Sequence, residues 1–102
     1  MGWKAKQRID PVSWEAILRA NEPFLQQFFL NVDYLCNKRY GSRNEGLRAI
    51  KDKFGYCMIP QTIKSYITGE FRDIDIIRLN AWCLFFDVDL VSMLTEDYSK
   101  GV

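Results

Sequence analysis

The sequence predicts an all-α fold, a single bundle of five or six helices. Three observations predict it. Apolar residues recur at three-to-four spacing along most of the chain, the period of a helix with one buried face. No run alternates with the period of two that a half-buried strand requires. Helix punctuation also falls at regular places: Ser13, Ser42 and Asp89 offer side-chain oxygens at helix starts, Pro23 and Pro60 suit first turns, and Gly41, Gly55 and Gly69 suit left-handed ends. The 102 residues are 48% hydrophobic and 15% aromatic, enough for one domain with a core that needs no staples. The division expected is a flexible arm over 1–11, a helical domain over 12–96, and a polar, frayed tail over 97–102.

Ser13 caps a short helix over Trp14 to Ala20 in this reading, and Pro23 opens a longer one. Phe24, Phe28, Tyr34 and Leu35, with Leu25, Phe29 and Val32 beside them, form its apolar side, and Tyr40-Gly41 ends it. Ser42-Arg43-Asn44-Glu45 matches a capping box, Ser followed three residues on by Glu. The helix it opens carries Leu47, Ile50 and Phe54 inward and Arg48, Lys51 and Asp52 outward, up to Gly55. Pro60 starts a short helix with Ile63, Tyr66 and Ile67 inward, ended by Gly69. Asp73 or Asp75 caps the next helix, whose packed face is Ile76, Leu79, Trp82, Cys83 and Phe86. Asp89 caps a last helix, Leu90 to Leu94.

Composition removes several functions. The chain has no His and no Cys-x-x-Cys, so a zinc finger, a His general base and a Ser-His-Asp triad are excluded. Without a Gly-rich phosphate loop or paired carboxylates, the expectation is a non-enzyme with no cofactor, metal or small-molecule substrate. Cys36, Cys57 and Cys83 read as reduced thiols, with Cys57 the candidate for reactivity because it falls in a turn. No apolar run reaches membrane-spanning length, and Asp10, Glu15 and Arg19 interrupt what a secretory leader would need, so a cytoplasmic protein off the membrane is expected.

Net charge is only +1. Its distribution is less even: Arg43, Arg48, Lys51, Lys53, Lys64 and Arg72 outnumber Glu45, Asp52 and Glu70 in the middle of the chain, while the last thirty residues are mostly acidic. The basic part surrounds the short Pro60–Gly69 helix. A short second helix, loop-linked to the one before it, is what a helix-turn-helix protein presents to the major groove. Phe54-Gly55, the segment Thr62 to Gly69 and the segment Cys83 to Leu94 together resemble the lambda-repressor-like (Cro/C1, XRE) family of DNA-binding domains. The first supplies the turn Gly, the second a "t-I-s-x-x-x-x-G" recognition helix, and the third an "A-x-x-L-x-v-s-x-x-x-L-l" pattern, with Cys83, Phe86 and Val88-Asp89 at its key positions. The similarity covers about half the chain, Leu47 to Leu94. It departs at Lys51, where the family has a small residue, at Ile67, where Glu is frequent, and in the longer turn between Gly55 and Ile63.

The resemblance implies a lambda-repressor-like bundle with an extra N-terminal helix and a sequence-specific regulator, bacterial or phage-related, that binds double-stranded DNA. Gln61, Thr62, Lys64 and Ser65 are then the base contacts: Gln pairs with adenine, Thr offers a methyl to thymine, and Lys reaches guanine. Arg43, Arg48, Lys51 and Arg72 are the expected phosphate contacts, which position without reading sequence. The alternative is a protein-interaction module on the same fold, of antirepressor or antitoxin type, which the near-neutral charge favours. Leu84, Phe85 and the aromatic residues of the N-terminal helix add more apolar surface than a minimal bundle buries. Two covers are open for it, the N-terminal helix or a second copy in a homodimer.

Overall fold

The computed structural model describes residues 13–70 and 74–101. Among these residues five α-helices follow one another: α1 (Trp14–Tyr40), α2 (Arg43–Phe54), α3 (Pro60–Thr68), α4 (Ile76–Phe86) and α5 (Leu90–Thr95), then a 3-10 turn at Tyr98–Lys100. The described residues contain no strand. The spine is α1, and α2, α3, α5 and the 3-10 turn all pack on it. Its buried face supplies Phe28, Phe29, Val32, Leu35 and Cys36 to a core completed by Leu47, Ile50, Ile63, Tyr66, Leu79, Trp82, Cys83, Phe85, Phe86 and Met93. Trp82 stacks on Phe86 at 5.7 Å, and Phe29 on Tyr66 at 4.4 Å, so aromatic faces join α4 internally and α1 to α3.

Local chemistry set most helix ends as expected. Ser13, Ser42, Asp75 and Asp89 each accept a hydrogen bond from a backbone amide three residues on. Gly41, Gly55 and Gly69 close α1, α2 and α3 in the left-handed conformation. Only half of the capping box forms, because the Glu45 carboxylate binds Arg48 at 2.6 Å. Asp87 ends α4 at φ 58, a place where a short polar side chain tolerates the left-handed region.

Several expectations are corrected. Trp14–Ala20 and the helix after it are one continuous 27-residue helix, with Pro23 inside. Pro23 lies on an exposed stretch, so its missing amide strips a bond only from a carbonyl that water reaches. No separate extra N-terminal helix therefore exists among the described residues. Phe54 and Ile76, expected inside, are exposed, as is Phe24. Phe85, expected partly outside, is buried, with the Tyr40 ring stacked on it at 5.4 Å and Phe54 edge-on.

The carboxyl-terminal residues expected to fray are held down. Asn31, buried in α1, donates to Met93 O (3.0 Å) and Glu96 O (2.7 Å) and accepts from the Tyr98 amide (3.0 Å) and from Gln27 Nε2 (3.2 Å). One amide side chain thus satisfies carbonyls at the end of α5 and fixes the 3-10 turn. Arg39 does the same for α4, donating to Phe86 O at 2.7 Å. The arm expected over 1–11 and the alternative cap Asp73 lie outside the described residues.

The crossing of α1 and α2 is set by a glycine. Gly46 is buried against Cys36, and a Cβ built there would stand 2.3 Å from Cys36 Sγ and 2.6 Å from Cys36 Cβ. Only a residue without a side chain lets the helices approach so closely. Arg43 Nε then pairs with Asp33 Oδ1 at 2.7 Å and pins the start of α2 to α1.

Candidate nucleic-acid interface

The short helix α3 is anchored from below. Ile63 and Tyr66 are fully buried, and Gln26 Nε2 donates to Ile67 O at 2.7 Å. Helical spacing turns Gln61, Lys64, Ser65 and Thr68 to the opposite side. Gln61, Lys64 and Thr68 are exposed, and Ser65 is half-buried. Thr62 sits at the edge of that face, lining a cleft with Tyr56, Tyr66 and Arg78. The Ser65 hydroxyl donates to Gln61 O (2.9 Å) and the Thr68 hydroxyl to Lys64 O (2.9 Å). Their protons are committed to backbone, and their lone pairs stay open to a donor.

The start of α3 has no side-chain cap and no acidic residue in its first turn. Ile59 precedes it in extended conformation, and Pro60 takes the first helical position. The positive end of the helix dipole therefore faces no acidic side chain of its own first turn. Pro60 has no amide N–H and the Thr62 amide donates to Ile59 O at 3.1 Å, which leaves the Gln61 amide open. This start lies beside the start of α2: Pro60 lines one shallow depression with Asp33, Asn37, Ser42, Arg43 and Asn44. Asn44, Arg48 and Lys51 recur at helical spacing along the outer flank of α2 that begins at this depression.

The eight residues singled out from sequence thus have different fates. Gln61 and Lys64 point freely outward, Lys51 is exposed, and Arg48 is exposed but paired with Glu45. Arg43 is half-buried, and its bond to Asp33 raises its pKa. Arg72 lies outside the described residues. The helical period also puts Thr68 on the polar side of α3, where it is exposed. Asn37 and Asn44 line the depression with Pro60 and were not expected as contacts; Asn37 comes from a distant turn of α1.

Other chemistry is sparse. No group of three or more His, Cys, Asp and Glu among the described residues could hold a metal ion. Burial pushes the Cys36 thiol up to about 12 and the Cys83 thiol to about 11, while Cys57 is exposed in the turn before α3. No described helix is long and apolar enough to cross a membrane. No protein-family model, curated protein or solved structure matches the chain.

Proposed function

We propose that the protein is a sequence-specific DNA-binding regulator of helix-turn-helix type that lays α3 in the major groove. The observation that carries this reading is the pairing of two helix starts. The uncapped start of α3 and the Ser42-capped start of α2 border one depression, with Gln61 and Lys64 projecting beside it. The open Gln61 amide and the positive dipole end favour a phosphate beside a groove-inserted helix. Gln61 and Lys64 reach base edges, Ser65 and Thr62 serve as flanking acceptors, and Arg48 and Lys51 take phosphates. Arg43 positions α2 through Asp33 rather than reaching for DNA.

A duplex-binding titration across salt tests this. The two phosphate-facing cations, Arg48 and Lys51, give a slope of about −2 in log affinity against log salt. Gln61→Ala combined with Lys64→Ala leaves helicity and thermal midpoint unchanged and weakens binding at least several-fold. Equal affinity of this variant and the wild type for a bound duplex removes α3 as the reading element. A second reading, a protein-interaction module on the same helices, is favoured by the exposed apolar residues of α1 and α4. Under that reading no duplex is retained even at low salt.

A further inference from the structure

In the DNA reading, Arg48 and Lys51 of α2 take phosphates on one flank of α3, the flank where Pro60 shares a depression with the start of α2. The other flank is a separate cleft of about 350 Å³. It is lined by the turn before α3, by Thr62 and Tyr66 of α3, and by Arg78 near the start of α4. Successive helical residues turn by about 100°, so Pro60 and Thr62 stand about 200° apart around the α3 axis, with exposed Gln61 between them. The depression and the cleft therefore lie on opposite sides of the polar face of α3. Arg78 is the one cation among the described residues that line the cleft, and its side chain is 58% exposed. One oxygen of the Asp75 carboxylate caps α4 by accepting from the Arg78 amide at 2.8 Å. The other pairs with the Arg78 guanidinium. An exposed pair three residues apart on one helix holds its members weakly. The guanidinium has five N–H donors in a planar fork, and a single Asp75 oxygen leaves most of them for another acceptor.

We propose that Arg78 binds a DNA phosphate on the strand opposite the one held by Arg48 and Lys51, so that α3 is gripped from both walls of the major groove. The assignment rests on the reading of α3 as a groove-inserted helix. The major groove is about 12 Å wide, and a helix lying in it has a phosphate backbone on each side. Anchors on one flank alone leave the helix free to pivot about that strand. An anchor on each flank fixes its register on the bases. Asp75 competes with the phosphate for the same guanidinium, so binding passes Arg78 from one anion to another while the other Asp75 oxygen keeps its cap.

Duplex binding by the full chain, measured across salt, tests the proposal. With Arg78 counted beside Arg48 and Lys51, the wild-type slope steepens from about −2 to about −3. Arg78→Gln, at an exposed site, keeps the thermal midpoint. It lowers affinity about five- to tenfold at about 0.1 M salt and makes the slope shallower by about one. The loss is the same on a selected duplex and on an unrelated one, because a phosphate carries no sequence. Arg78→Lys keeps the slope, since the charge is kept. Asp75→Ser leaves a capping oxygen at the start of α4, frees the guanidinium and tightens binding several-fold. An Arg78→Gln variant with the wild-type slope, or one that loses affinity for the selected duplex alone, overturns the proposal and leaves the DNA reading in place. A wild type that retains no duplex even at low salt removes both.

Discussion

Replacing Gly46 by Ala opposes two effects of known sign. In an exposed helix the change stabilises by roughly 1 kcal/mol, because Ala has the better helix propensity. At Gly46 the added methyl would lie 2.3 Å from Cys36 Sγ, 2.6 Å from Cys36 Cβ and 3.2 Å from Cys36 Cα. A rotamer change can move the sulfur, but only backbone displacement moves Cβ and Cα. Overpacking of this kind costs about 1–3 kcal/mol. The two rigid contacts place Gly46→Ala near the top of that range, so the net loss is about 2 kcal/mol. In urea, with an m-value of about 1–1.5 kcal/mol/M, the midpoint falls by roughly 1.5 M. Cys36→Ala in the same background relieves the sulfur contact and leaves the Cβ contact, so it restores only part of the loss. Moving the glycine across the interface, Gly46→Ala with Cys36→Gly, gives a favourable coupling energy in the double-mutant cycle. A midpoint unchanged or raised by Gly46→Ala would show that α1 and α2 do not cross as described.

Three further outcomes follow from other contacts. Asn31→Ala removes four hydrogen bonds and leaves the buried Met93 carbonyl without its side-chain partner, so stability falls by about 2–4 kcal/mol and amide exchange at Tyr98 accelerates. Equal protection of that amide would contradict the clamp. At mildly alkaline pH in the native state, iodoacetamide labels Cys57 and spares Cys36 and Cys83; more than one label per chain by mass spectrometry breaks the assignment. The same two thiols make stability fall at high pH. Their folded pKa values, about 12 and 11, lie above the ordinary value, so their contribution is complete below about pH 9 and is lost as the unfolded thiols ionise above it. Cys83→Ala therefore flattens the alkaline limb of a urea midpoint titration, and an unchanged limb refutes the linkage.

How much the sequence disclosed depends on the range of the interaction. Ser13, Ser42, Asp75 and Asp89 cap helices through amides three residues away, and Gly55 and Gly69 end helices by their own backbone freedom. Such signals are local and were read correctly. Pro23 misled because its cost depends on whether the orphaned carbonyl faces water, a tertiary fact. Phe54 and Ile76 have inward spacing but sit at helix ends, where the body no longer covers the face. Gly46, Asn31 and the Arg43–Asp33 pair act between residues far apart in sequence, and periodicity carries no trace of their partners. The polar face of α3 was visible as spacing; the hydroxyl bonds of Ser65 and Thr68 and the turn of Thr62 toward α4 were not. The neighbouring starts of α2 and α3, which support the functional reading, emerge only when both helices pack on α1.

Selection of bound duplexes from a random DNA pool tests the central claim most directly. The account predicts that the wild type enriches one common short motif, and that Gln61→Ala with Lys64→Ala, still folded, loses that enrichment. A pool that stays random after repeated selection, or the same motif recovered at equal yield by the variant, would contradict it.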